Sequence, residues 1–242
     1  MSIVGRIDEI KERIEKAALR SGRKASEISL MGVTKMCGEE KIEEAANASL
    51  LLFGENRVQE ATAKYPALKE KYPMLKVHMI GNLQRNKIKH INGVFDCIQS
   101  LERDELIHAL GKTLNETGAA CKTEAPFPVL LEMHTGEESK AGYPDVDSLC
   151  RAAEIVLTYS CLKLSGLMTM APFTGDSALI RNSFRKLFNA RDFLQRRFSR
   201  EDFSCLSMGM TGDFEIAIEE GSTLVRIGTA IFGNNTESGD KQ

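Results

Sequence analysis

The chain has 242 residues, 27% of them charged, and its 32 Lys and Arg against 34 Asp and Glu leave a net charge of −2. That balance argues against a basic nucleic-acid binder, and no apolar run is long enough to span a bilayer. The length suits one large α/β domain or two small ones, with a core that needs no disulfide or metal staple.

In chain order, Ile3, Ile7, Ile10 and Ile14 recur at helical spacing and Gly22 follows as a stop. The start is therefore expected to be an amphipathic helix rather than a signal peptide, which would carry an apolar central segment. Strands are predicted at Ile28–Thr34, Ser49–Phe53, Lys76–Ile80, Phe95–Gln99, Phe127–His134, Leu162–Met170, Phe203–Ser207 and Thr223–Ile227. Helices are predicted between them at Glu39–Asn47, Val58–Lys69, Glu102–Thr113, Asp145–Val156 and Ser177–Phe198, with short ones at Arg85–Ile91 and Asp213–Glu220. Alternating strands and helices imply a parallel sheet with helical crossovers. Eight such units in this length suit a single (β/α)8 TIM barrel with an extra N-terminal helix. A doubly wound open sheet is the alternative, but "TKMCGEEK" after the first strand carries no dinucleotide-binding glycine fingerprint. The barrel is expected over residues 1–234 and a disordered tail over 235–242.

Cys37, Cys97, Cys121, Cys150, Cys161 and Cys205 are scattered, which suggests free thiols in a reducing cytoplasm. The four histidines are far apart, so no metal site is legible.

A barrel of this kind carries its site at the C-terminal ends of the strands. The first strand ends in Lys35, which either snorkels to solvent or enters the lumen in step with Met31 and Val33. Asn56 follows the second strand. His78 sits in the third and reads, taken alone, as a core histidine, and Met168 and Met170 could equally be core filler. The seventh and eighth strands run into "SMGMTGD" and "IGTAIFG". In such barrels these two loops often hold a phosphate on backbone N–H groups, with Gly permitting close approach and Ser or Thr adding hydroxyls. Arg226 shares a strand face with Leu224, so a lumenal position would demand a buried acceptor. A lysine, an arginine and a phosphate cup suit an aldehyde that carries a phosphate, pyridoxal 5'-phosphate (PLP).

The stretches "GVTK", "FGENRVQE", "HMIGNLQRNK", "IQSLER", "ESKAG", "GLMTM", "LSMGM" and "STLVRIGTAIFG" run from about Ile28 to Gly233. In that order they resemble the pyridoxal phosphate homeostasis protein family, also called the proline synthetase co-transcribed homologue family. The resemblance implies the fold of the alanine racemase N-terminal barrel and PLP held as an internal aldimine on Lys35. It also implies Ser207, Gly209, Thr211, Gly228 and Thr229 near the phosphate, Asn56, His78 and Met168 lining the pocket, and Arg226 at the pyridine nitrogen. The chain departs from the usual pattern with "VTKM" for "VSKT", Thr211 for Ser and Gly212 at a polar position.

Two functions follow from this resemblance. One is a PLP carrier or regulator that balances vitamin B6 pools, working as a cytoplasmic monomer and passing PLP to PLP-requiring apo-enzymes, without nucleic acid or membrane partners. The other is a PLP enzyme such as an amino-acid racemase. Two-base racemisation needs an acid/base on each face of the α-carbon. In the racemases the second one comes from a separate β-domain, for which no room is expected between strand eight and Gln242, so the non-catalytic carrier is the reading preferred. A third reading gives Ser177–Phe198, rich in arginine, an interaction role, though a solvated outer face explains that charge more simply.

Overall fold

The computed structural model describes residues 1–117, 125–136, 141–199 and 203–233. The expected tail, most of the "ESKAG" stretch and Cys121 lie outside them. Helix α1 (Ile3–Arg20) opens the chain, capped by the Ser2 hydroxyl, which accepts from the Gly5 N–H at 3.2 Å. Its four isoleucines are buried, as their spacing requires. Eight strands then alternate with helices: β1 (Ser29–Val33), α2 (Glu39–Asn47), β2 (Leu52–Glu55), α3 (Val58–Lys71), β3 (Lys76–Met79), a 3-10 segment (Arg85–His90), β4 (Cys97–Leu101) and α4 (Asp104–Glu116). The second half continues β5 (Phe127–Glu132), α5 (Val146–Leu157), β6 (Leu162–Met168), α6 (Ser177–Phe198), β7 (Cys205–Ser207), α7 (Phe214–Glu219), β8 (Leu224–Ile227) and α8 (Thr229–Phe232).

Each strand pairs in parallel with the next, and β8 closes on β1 with Met31 opposite Arg226. The sheet is a closed eight-stranded barrel, and the doubly wound alternative is set aside. Alternation along the strands sends Phe53, Val77, Ile98, Leu131, Leu167, Leu206 and Val225 outward into the main apolar core with the helices. Cys97, Leu130 and Met168 form a separate cluster, which places them in the lumen. Helix α1 covers α7, α8 and α2, with ion pairs from Arg13 to Glu215 and Arg20 to Glu219.

Three strands begin two or more residues later than their composition suggests, β7 among them, at Cys205 rather than Phe203. Ser49 takes a left-handed φ of 62° as α2 ends, and Leu50 donates back to the Ala45 carbonyl. The predicted Ser49–Phe53 strand is therefore Leu52–Glu55, which brings Gly54 and Glu55 inside the sheet. Phe95 donates to the Ile91 carbonyl, so β4 starts at Cys97 and runs past Gln99 to Leu101. The arginines of α6 are largely neutralised, Arg181 and Arg185 by Glu219 and Glu220 and Arg197 by Glu154. That helix is a solvated, ion-paired outer face. No helix among the described residues is long and apolar enough to cross a membrane.

Candidate functional site

The strands' C-terminal ends surround a cavity of about 360 Å³, inside the usual range for small-molecule sites of roughly 300–1,000 Å³. Its wall takes Val33 and Lys35 from the end of β1, Asn56 after β2 and Met168 from β6. Thr211 and Asp213 come from the loop before α7, and Arg226, Gly228 and Thr229 from β8 and its end. Pro172, Phe173 and Met210 form an apolar rim on which Phe173 is 100% exposed. A more open groove adjoins at Asn56, lined by Arg57, Gln84 and Lys87. It lacks Lys35 and any buried cation, so the smaller cavity is the candidate site.

Lys35 stands two residues past the last residue of β1, in a turn, and its side chain is exposed at the mouth. Of the two placements open to Lys35, the structure takes the exposed one: β1 stops at Val33 and the turn carries the amine up to the rim. Among the described residues no carboxylate lies within ion-pair distance of it. On the neighbouring strand end, after β8, the Thr229 hydroxyl donates to the Thr211 hydroxyl at 3.3 Å. The amides of Thr211, Gly212, Thr229 and Ala230 have no acceptor among the described residues. Two hydroxyls and four N–H groups without an acceptor thus lie on adjoining loops, a donor set of the kind that an oxyanion would accept. The loop geometry depends on Gly209, at φ +95°, where a Cβ would lie 2.6 Å from that of Ala217. Gly81 works similarly behind Asn56, since a Cβ there would sit 2.4 Å from the Asn56 carbonyl oxygen.

Arg226 is lumenal and only 4% exposed. Its Nη1 donates to the Ser207 carbonyl and hydroxyl, both at 2.7 Å, and its Nη2 to the Thr169 carbonyl at 2.9 Å. Ser207 Oγ donates in turn to Gln99 Oε1 at 2.6 Å, and Gln99 Nε2 meets His78 Nδ1 at 2.8 Å. With its carbonyl oxygen taken by Ser207, Gln99 donates to Nδ1, and the His78 proton resides on Nε2. Burial pulls His78 down to about 4, so the ring is neutral at physiological pH. Burial also lowers Arg226 to about 10, which leaves it charged. Glu132, on the same strand face as Leu130, is pushed up to about 7, first by burial and then by Glu102, with Arg226 opposing.

The structure therefore brings Lys35, Asn56, Met168, Thr211, Arg226, Gly228 and Thr229 to one wall. Ser207 and His78 stand behind that wall in the chain that holds Arg226, and Gly209 packs against α7. Gln99 and Glu132 escaped the sequence reading. Gln99 lies in the resembling stretch "IQSLER", and alternation with Cys97 could have placed it in the lumen. Tyr143 and His134, which follow β5 and could in principle supply a second acid/base, are absent from the wall, and the Tyr143 hydroxyl donates to Asp104 at 2.9 Å. Burial and that carboxylate push the phenol well above its usual range. The thiols of buried Cys97 and half-buried Cys205 are likewise raised by desolvation, Cys205 to about 11, which makes them poor nucleophiles.

Residues 6–236 match the model of the alanine racemase N-terminal domain family. A protein of Aquifex aeolicus named pyridoxal phosphate homeostasis protein is 40% identical over 233 residues, covering 96% of this chain and 98% of its own length. The chain belongs to the pyridoxal phosphate homeostasis protein family. The structure of PipY of Synechococcus elongatus with PLP bound, 32% identical, superposes with a TM-score of 0.76 over 93% of this chain and all of that one. An alanine racemase of Clostridium difficile shares the fold at 13% identity, with a TM-score of 0.75, and this chain spans only 58% of it. The homeostasis-family barrel thus corresponds to one part of the longer racemase.

Proposed function

We propose that this protein binds PLP in the cavity at the barrel mouth, attaches it to Lys35 and so contributes to the balance of intracellular vitamin B6. The observation that carries the reading is the convergence of three groups on one cavity: an amine with no carboxylate partner among the described residues, a cup of hydroxyls and open amides, and a buried guanidinium. The names of the relatives and the PLP in PipY support it.

The donor set fits the group. Thr211 and Thr229 would hold the phosphate with the amides beside them, and Arg226 would present its remaining N–H groups to the ring nitrogen. When bound, PLP supplies an aldehyde carbon with which an amine condenses, releasing one water. Lys35, at the rim, can provide that amine while staying accessible to incoming amines. Arg226 is a permanent donor and keeps a ring nitrogen in front of it unprotonated, which weakens the electron withdrawal that amino-acid chemistry relies on.

We infer further that the protein does not turn over amino acids at enzymic rates. Among the described wall residues, the side chains that carry an amine or a carboxylate are Lys35 and Asp213, and Asp213 Oδ1 already accepts the Met210 N–H at 2.6 Å. Neither a tyrosine nor a histidine faces the lysine in that wall. The test is spectroscopic and chemical. Protein loaded with PLP should absorb in the visible, and borohydride should fix a phosphopyridoxyl group on Lys35. Peptide mapping to another lysine would overturn the assignment. Incubation with L-alanine in deuterium oxide should give little α-deuteration, whereas turnover near about 10 per second, an ordinary enzymic rate, would establish the racemase reading instead.

A further inference from the structure

Lys35 makes no side-chain hydrogen bond or ion pair with a described residue, so its aim into the cavity depends on its backbone. Both peptide groups that flank it are tied to α3. On the N-terminal side, the Thr34 carbonyl accepts from Lys64 Nζ at 3.3 Å, and the Thr34 hydroxyl donates to Glu55 Oε1 at 2.9 Å. On the C-terminal side, the Met36 N–H donates to Glu60 Oε2 at 3.1 Å. Lys64 Nζ joins the two anchors, bonding Glu55 Oε1 at 3.1 Å and Glu60 Oε2 at 3.4 Å. Tyr65, fully buried, closes the set on the Thr34 hydroxyl at 2.5 Å.

The arrangement is costly for stability alone. Glu55 is completely buried and its Oε2 has no hydrogen-bond partner among the described residues, whereas an apolar residue at the outward face of a strand would pack without that penalty. Met36 takes a left-handed φ of 59° without being glycine, a conformation that persists only where the surroundings enforce it. A buried, partly unsatisfied ion pair directly behind a strained turn is the signature of a clamp.

We infer that Lys64, with Glu55 and Glu60, is a positioning residue: it clamps the turn Thr34–Met36 so that the Lys35 amine faces the cavity in a reactive geometry. The inference rests on the cofactor reading above. Lys64 does not touch the cavity and takes no part in binding the phosphate. It acts through the backbone on either side of Lys35.

The test separates covalent capture from binding. Pyridoxine 5'-phosphate carries the phosphate and ring but no aldehyde, so it reports the cavity alone. In Lys64→Met, capture of PLP, followed as growth of the visible band and as borohydride-fixed adduct on Lys35, should slow about tenfold or more while affinity for pyridoxine 5'-phosphate changes by less than about twofold, as expected when a reacting group is misplaced by an ångström or less. Lys64→Arg, which keeps the donors, should recover most of the rate. Glu60→Ala, on the exposed side of the clamp, should shift capture in the same direction by a smaller factor. Lys64→Met leaves Glu55 buried without its partner, so the double variant Glu55→Gln/Lys64→Met serves if the single one fails to fold by circular dichroism. Unchanged capture in folded Lys64→Met or the double variant overturns the inference, as does equal loss of capture and of pyridoxine 5'-phosphate binding, which would mark a merely structural pair. Wild-type protein that forms no adduct on Lys35 overturns the cofactor reading and this inference with it.

Discussion

Replacing Glu132 by glutamine probes the electrostatics of the barrel lumen beneath the cavity. The Glu132 carboxyl is 5% exposed and raised from an ordinary 4.5 to about 7, mainly because burial penalises its charge and Glu102 repels it. An acid whose folded-state value lies above its unfolded value stabilises the fold fully at low pH. The unfolded chain ionises first as pH rises, so stability falls between about 4.5 and 7 and stays reduced above that. The difference of 2.5 in pKa is worth about 3 kcal/mol at roughly 1.4 kcal/mol per unit. Glu132→Gln abolishes the ionisation while keeping the shape. At pH 5 the variant and the wild type should therefore differ little. At pH 8 the variant should be more stable by up to about 3 kcal/mol, less the cost of burying its amide. Urea unfolding followed by circular dichroism at pH 5, 6, 7 and 8 reads the effect directly. A gap between variant and wild type that stays constant across that range would refute the reasoning, because it would mean that Glu132 titrates alike in the folded and unfolded chains.

His78 should show the opposite sign: its folded value of about 4 lies below the ordinary 6.5, so its contribution is present above 6.5 and lost as pH falls towards 4. The residue is half-buried, which tempers the loss. NMR of the imidazole should show no titration between about pH 5.5 and 7.5, and a midpoint near 6.5 would sink the neutral, Nε2-protonated assignment. Thr211→Ala and Thr229→Ala should each weaken PLP binding by roughly 1.5–3 kcal/mol, the worth of a hydrogen bond to a charged group, and equal affinity for pyridoxal and PLP would remove the phosphate cup. Ser207→Ala should act through Arg226 rather than through the phosphate. It leaves a buried guanidinium with one acceptor fewer, so unfolding measurements should register a loss of roughly 1–3 kcal/mol. Lys35→Ala should abolish the borohydride-fixed adduct while pyridoxine 5'-phosphate still binds, and loss of both would mean that Lys35 holds up the cavity wall itself.

What the sequence determined by itself is the set of elements and their order. The isoleucine spacing of α1, the limits of α2 and α6 and the alternation of eight apolar runs with helices follow from local periodicity, and periodicity is written in neighbouring residues. The motifs at the strand ends likewise pointed to Lys35, Thr211, Arg226 and Thr229, because a parallel barrel collects its strand ends on one face. Alternation assigns a residue to a face of the sheet, however, and says nothing of its depth or its partners. Closure of the barrel decided that Lys35 sits at the rim while Ser207 is spent on Arg226 and Gln99. The same closure drew Gly54 and Glu55 into the end of β2 and carried Glu55 under α3 against Lys64 and Thr34. Those contacts join residues up to 108 positions apart, as Ser207 and Gln99 are. Their energy comes from desolvation and acceptor geometry that exist only once the strands have closed around them.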